Sequence, residues 1–213
     1  MMPIEDRNRT IRYKHWIIFI VMVIVTLLYR FTNRPIGEVR NLTMAIDLKI
    51  PLIKEFIVIY NSWYPFILVS ILSFMAKEKT LFVESVMAVI LGNILALLTF
   101  ILYQTIVPRP SITGSDIFSK LLLMTYGVDN PYNGFPSLHV IATVIVVIAM
   151  FRSRKKRIYK VASLIFGILI LLSTLFVKQH VLLDVYSGII YGAVVYSIVV
   201  FAMQFRSVRK LLL

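Results

Sequence analysis

The 213-residue chain contains no cysteine, which excludes disulfides, thiol nucleophiles and thiolate metal sites and leaves the redox compartment unread. Charge is also scarce. Asp, Glu, Lys and Arg make up 15% of the residues, where a soluble domain carries roughly a quarter. Acidic side chains are the rarer kind, 10 against 23 Lys and Arg, for a net charge of +13. No internal repeat, low-complexity tract or soluble domain can be marked. What remains is a chain that is 59% hydrophobic, with its charges clustered between long apolar runs. That is the pattern of a protein whose solvent is mostly lipid. The basic excess does not indicate nucleic acid, because these residues cap apolar segments instead of lining a polar face.

Six apolar segments stand out: Trp16 to Tyr29, Phe56 to Ala76, Leu81 to Val107, about Pro136 to Phe151, Ile158 to Val177, and Val181 to Met203. Most approach the ~20 residues a helix needs to cross the hydrocarbon core, while the first and fourth are short. The expected fold is therefore all-α: a single polytopic membrane domain over 1–213, with six transmembrane helices in a compact bundle. A secretory signal is disfavoured, because Tyr29-Arg30-Phe31 offers no small residues for cleavage after the first run. Lys and Arg crowd residues 1–15, the run Arg152, Arg154, Lys155, Lys156, Arg157, and the tail Arg206, Arg209, Lys210. The positive-inside rule then sets both termini (1–15 and 204–213) in the cytoplasm, with spans one to three in 16–107 and spans four to six in 136–203. A bacterial-type plasma (inner) membrane is the expected location.

Two loops fall outside the membrane under this topology. Arg30 to Glu55, with Asp47 and Pro51, reads as interfacial. Residues 108–135 are turn-rich, with Pro108, Pro110, Gly114, Gly127, Pro131 and Gly134, and Phe118 to Tyr126 reads as a short helix on the bilayer surface. Gly92, Gly167, Gly188 and Gly192, with Asn93, suit close helix packing better than the paired broken helices of a transporter.

The unusual polar residues gather on the same outer face. His180 lies in the tight turn between spans five and six, and Asp184 is four residues on, so both project from one helix face. The aspartate can take the Nδ1 proton of His180, fix its tautomer and leave Nε2 as a nucleophile. At membrane depth a carboxylate is a functional candidate by default, although a pair that merely joins two helices is the simpler alternative. His139 follows Pro136-Ser137-Leu138, so it sits in the first turn of span four, beside a helix N-terminus suited to an anion. A histidine there can give a proton to a leaving oxygen. Arg109, held between two prolines, has the geometry to grip two phosphate oxygens, or it is an interfacial arginine.

Together the stretches LYQTIVPRP, FPSLHV and STLFVKQHVLLDV resemble the three ordered motifs of the type 2 phosphatidic acid phosphatase superfamily, K-x6-R-P, P-S-G-H and S-R-x5-H-x3-D. The resemblance implies that His180 attacks phosphorus to form a phosphohistidine, oriented by Asp184, and that His139 is the acid for the leaving alcohol. It also implies that Arg109 and Ser137 bind phosphate oxygens, with no metal or other cofactor. The match is incomplete. The motif lysine falls on Leu102, the glycine on Leu138 and the second arginine on Thr174. Lys178 is a possible substitute cation, Lys120 another. The thinner pattern is similar to the sphingomyelin synthase-like branch, which transfers a phospho-headgroup to a lipid alcohol.

The expected function is thus a membrane lipid phosphatase that hydrolyses a phosphate ester or diphosphate of a lipid at the outer interface. Headgroup transfer is the first alternative and a non-catalytic lipid-binding role the second. A zinc site from His139, His180 and Asp184 is a lesser possibility. The expected partners are a phosphorylated lipid and the bilayer; oligomeric state is left open.

Overall fold

The computed structural model describes residues 4–205, 207, 208 and 212, with no account of the side chains of 4–12. The basic tail residues Arg206, Arg209 and Lys210 lie outside the described residues. The chain is almost entirely helical. It begins with α1 (Ile4–Leu27), α2 (Tyr29–Thr32), the two-residue strand β1 (Arg40–Asn41), α3 (Ala45–Lys49), a 3-10 turn at Lys54–Phe56, α4 (Ile57–Asn61) and α5 (Trp63–Met75). It continues with α6 (Lys79–Leu102), β2 (Thr105–Ile106), α7 (Ile117–Val128), α8 (Leu138–Arg152), α9 (Arg157–Phe176) and α10 (Leu182–Ala202).

Among the described residues, five helical segments are long and apolar enough to cross a membrane: Tyr13–Thr32, Lys54–Met75, Lys79–Leu102, Arg157–Phe176 and Leu182–Ala202. Their outward faces carry large exposed apolar side chains, among them Ile165, Val194, Ile198 and Phe201. A soluble protein would not leave such a surface in water. The chain is a helical membrane protein.

The fourth expected span corresponds to α8, which at 15 residues is only ~22 Å long. Its setting explains why it is short. Helices α5, α6, α9 and α10 pack around it, and Val140, Ile141, Ala142, Ile145, Val146 and Ala149 are all buried. A helix enclosed by protein need not match the thickness of the hydrocarbon. Its close approach to α10 depends on glycine: a Cβ on Gly188 would lie 2.8 Å from Val140 Cβ, and one on Gly192 2.8 Å from the Ile141 carbonyl. These are packing glycines, as the pattern suggested.

Two boundaries differ from the sequence expectation. The third apolar run was drawn to Val107, but α6 stops at Leu102 and Thr105–Ile106 leave the helix to pair in parallel with Arg40–Asn41. Val107 stays buried beneath the loop, so hydropathy alone could not mark the end. The second span is broken at Ser62, where α4 meets α5. Pro65 accounts for the break: it has no N–H to offer the Asn61 carbonyl one turn earlier, and its ring crowds that carbonyl. The expected helix at 118–126 is present as α7, capped by Asp116, whose side chain accepts from the N–H groups of Phe118 and Ser119.

The ends of α6, α8, α9 and α10 nearest the loops share one polar cap. Gln104 ties it together, its Nε2 donating to the Thr32 and Arg34 carbonyls and to Asn133 Oδ1, and its Oε1 accepting from Ile36 N–H. At the opposite end of the bundle, buried Glu84 accepts from Arg152 Nη1 at 2.5 Å, and Tyr196 hydroxyl receives the same guanidinium at 2.7 Å. That pairing neutralises a carboxylate lodged inside the bundle.

Candidate active site

The turn between α9 and α10 is built to present His180. Lys178 adopts φ 56°, and the backbone N–H groups of Gln179 and His180 both donate to the Thr174 carbonyl, at 3.0 and 3.1 Å. His180 then stands at the mouth of α10 with Nδ1 3.3 Å from Asp184 Oδ2. The same carboxylate oxygen accepts from Val181 N–H at 3.0 Å, so the α10 N-terminus and the histidine share one anchor. Asp47, from the first long loop, accepts the next free amide, that of Leu182, at 2.8 Å, and the α3 amide of Met44 at 2.8 Å. By sequence Asp47 reads only as interfacial; its burial and its role in fixing the α10 terminus have no local signal.

Gly134 faces Asp184 directly. A Cβ there would lie 2.7 Å from Asp184 Oδ2 and 2.8 Å from Val107 Cγ2. No glycine has a positive φ among the described residues, so this one is required for space and not for a turn. Asp184 Oδ1 is buried without a hydrogen-bond partner.

His139 occupies the first turn of α8, with its ring centroid 5.9 Å from that of His180. It is held between Tyr60 and Trp63, with centroids at 4.6 and 4.5 Å, and Trp63 Nε1 donates to its carbonyl at 3.0 Å. Tyr60, in α4, and Trp63, at the start of α5, are three residues apart and so share the face turned to the imidazole.

Arg109 reaches the same cavity from the loop after β2. Its Nη1 donates to the Asp129 carbonyl at 2.6 Å, its Nη2 to Gln179 Oε1, and its guanidinium lies 4.4 Å over the Tyr126 ring. Burial pushes the Tyr126 hydroxyl up to about 12 against the pull of Arg109, so it stays protonated and donates to the Val177 carbonyl at 2.7 Å.

His139, His180 and Arg109 thus line one cavity of about 460 Å³, together with Arg30, Tyr64, Asp129 and Gln179. The other sequence candidates are placed differently. Ser137 is fully buried and caps α8, its Oγ accepting from Val140 N–H, and its side chain is not on the cavity wall. Lys178 turns away, its ammonium donating to the Asp47 and Ile50 carbonyls. Of the positions where the motif lacks cations, Leu102 is 79% exposed on the outer surface, and Thr174 Oγ1 donates to the Leu171 carbonyl at 2.7 Å. Neither contributes to the cavity. Sequence reasoning missed Tyr60, Trp63, Asp129 and Gln179; only proximity to the motifs, for Gln179, offered any signal.

Chemically, the arrangement offers an imidazole oriented by a carboxylate, a second imidazole across a gap that a tetrahedral group can fill, and a guanidinium beside both. A family model described as the PAP2 superfamily matches residues 45–198 of the chain, a range that contains all of these groups except Arg30. Neither the curated proteins nor the solved structures give a significant match.

Proposed function

The chain belongs to the PAP2 superfamily, which makes it a phosphatase-type membrane enzyme acting on phosphoesters, and from that premise we propose that it transfers a phosphoryl group from a lipid through a phosphohistidine. The observation that carries this reading is the convergence of His180, paired with Asp184 at 3.3 Å, with His139 and Arg109 on one cavity. An ionised carboxylate only accepts, so Asp184 accepts a hydrogen bond from Nδ1–H, which fixes the tautomer and leaves the Nε2 lone pair of His180 for phosphorus. His139 gives a proton to the departing lipid oxygen, then takes one from the incoming acceptor. Arg109 offsets the charge on the non-bridging oxygens.

Ser137 acts through the backbone in this scheme. By capping α8 and donating its N–H to the Asp184 carbonyl at 3.2 Å, it ties His139 to the His180–Asp184 pair. Helix α8 serves as the sixth crossing helix. The basic turn at 152–157 faces the cytoplasm and the cavity opens on the outer side of a plasma membrane.

Water is the default acceptor, because excluding it requires extra structure. Transfer to a lipid alcohol is the second reading, favoured by a cavity of about 460 Å³ with Leu121, Met124 and Val128 on its wall. That is room for more than a phosphate group. The test is phosphate release by the purified protein in detergent with EDTA present, over a panel of lipid monophosphates, diphosphates and diesters. Release that disappears in His180→Ala supports hydrolysis; labelled headgroup moving to an added lipid alcohol supports transfer. Activity retained in His180→Ala rules out the nucleophile assignment.

A further inference from the structure

Two buried donors beside His180 have nothing to bond. Arg109 Nε and Gln179 Nε2 are both shielded from solvent and neither has a hydrogen-bond partner. Folded proteins pair nearly all such groups, and an unpaired one calls for an explanation. The two residues are neighbours, since Arg109 Nη2 donates to Gln179 Oε1. This contact also fixes which way the carboxamide points. A guanidinium has no acceptor, so the amide oxygen must face it and the amide NH2 must face away.

Gln179 is well held. It is 4% exposed, its N–H donates to the Thr174 carbonyl, and it precedes the nucleophile in sequence. Both Gln179 and Arg109 line the cavity that holds His139 and His180. Meanwhile, Leu102 and Thr174 leave the cavity without the two cations that the motif pattern would supply.

We infer that Gln179 is a phosphate-binding residue, its Nε2 donating to one non-bridging oxygen while Arg109 Nε donates to another. This rests on the phosphoryl-transfer reading above. The amide supplies a hydrogen bond where the motif pattern supplies charge, and its oxygen keeps the guanidinium in plane with it. The substrate's oxygens are the missing partners of both donors, so the cradle is complete only when phosphate is bound.

Gln179→Glu separates this from a purely positioning role. The carboxylate keeps an oxygen for Arg109 but removes the Nε2 donor and sets a negative charge against the phosphate. In the full-length protein in detergent, on the lipid that the wild type turns over fastest, kcat/KM is expected to fall about 100-fold. Inhibition by orthovanadate, used as the phosphate-like probe, should weaken at least tenfold in parallel, on the order of the loss of one charge-assisted hydrogen bond. Turnover and vanadate inhibition both within about threefold of wild type, on the same order-of-magnitude scale, would leave Gln179 as an orienter of Arg109 and overturn the assignment. Should the Glu variant not accumulate, Gln179→Met carries the test, and unchanged turnover there overturns it equally. A wild type that neither turns over any lipid phosphate nor responds to vanadate brings down the phosphoryl-transfer reading itself, a result distinct from the failure of Gln179 alone.

Discussion

Replacing Gly134 with alanine tests whether the His180–Asp184 pair is held by the exact fit of the loop before α8. The added Cβ would lie 2.7 Å from Asp184 Oδ2 and 2.8 Å from Val107 Cγ2. Non-bonded carbon contacts settle near ~3.5 Å and carbon–oxygen contacts slightly closer, so one side must yield by about 0.6 Å. Val107 and Asp184 are both buried, and the added Cβ meets Asp184 Oδ2 at the shorter distance, so the strain falls on the carboxylate. Its contact with His180 Nδ1 is already 3.3 Å, at the long end for a hydrogen bond, and a shift of that size can break it. Displacing an orienting group by ~1 Å costs on the order of 10²-fold in rate, and loss of the tautomer costs up to ~10⁴-fold in a triad of the same logic. The expectation is therefore a fall in kcat between about 10² and 10⁴. The overpacking itself costs about 1–3 kcal/mol, a drop of a few degrees in the midpoint of heat-induced loss of the monodisperse detergent peak. Steady-state kinetics on the best lipid substrate and that thermal assay are run side by side. If Gly134→Ala keeps kcat within a few-fold of wild type, the loop does not set the position of Asp184 and the reasoning fails.

Further expectations concern the other members of the site and the bundle. Asp184→Asn should fold and slow the first chemical step by about 10⁴-fold; phosphoenzyme forming at the wild-type rate in a rapid quench counts against the orienting role. His139→Asn should lose most activity on alkyl phosphate esters but much less on an aryl ester, whose leaving group needs no proton; equal losses on both refute the acid role. Arg152→Met strands buried Glu84 without its guanidinium and should lower the thermal midpoint by an amount equivalent to about 1–3 kcal/mol, while Glu84→Gln should cost less; the reverse order contradicts the pairing. Asp116 is held below the usual carboxylate range by hydrogen bonds from Lys54 and then Ser119. Its folded pKa is depressed, so its contribution is present above the unfolded value near ~3.9 and is lost as pH falls through the lower folded value. Protection factors of the first α7 amides, corrected for the intrinsic slowing of exchange in acid, should fall as pH drops below the unfolded carboxylate value, and Asp116→Asn should abolish that pH dependence.

Much of this architecture can be read from residues in order along the chain. Long apolar runs mark α1, α5, α6, α9 and α10 because lipid-facing and core-facing positions are both apolar. His180 and Asp184 do pair, at 3.3 Å, but not from one helix face, because α10 begins only at Leu182 and His180 stands in the turn before it. Helix α8, the fourth expected span, is harder to read: its length is marginal, and only its enclosure by four neighbours accounts for a buried apolar helix of 15 residues. Lys178 illustrates the limit for side chains. A lysine two residues from His180 is a natural phosphate ligand by spacing, yet the positive φ at that residue sends its ammonium to the carbonyls of Asp47 and Ile50. Asp47, Asp129 and Gln179 take their roles from long-range partners, such as Asp47 with Leu182, which no local pattern encodes. Tyr60 and Trp63 share one face through their spacing of three residues, but no local pattern shows that this face meets His139.

The clasp made by Gln104 has a bearing on where this enzyme begins and ends as a working unit. The family match starts at residue 45, but the amide of Gln104 is spent on the carbonyls of Thr32 and Arg34 and the N–H of Ile36, all upstream of it. Asn33 and Tyr29 likewise bond Asp129 across the cavity. A fragment cut to the matched range would keep every motif residue and still lose one wall of its reaction chamber, leaving polar groups of the cap facing lipid headgroups instead of their own first helix. The amino-terminal segment is therefore part of the wall of the cavity that holds His139 and His180, and any chimera that exchanges it must carry residues 29–36 along with it.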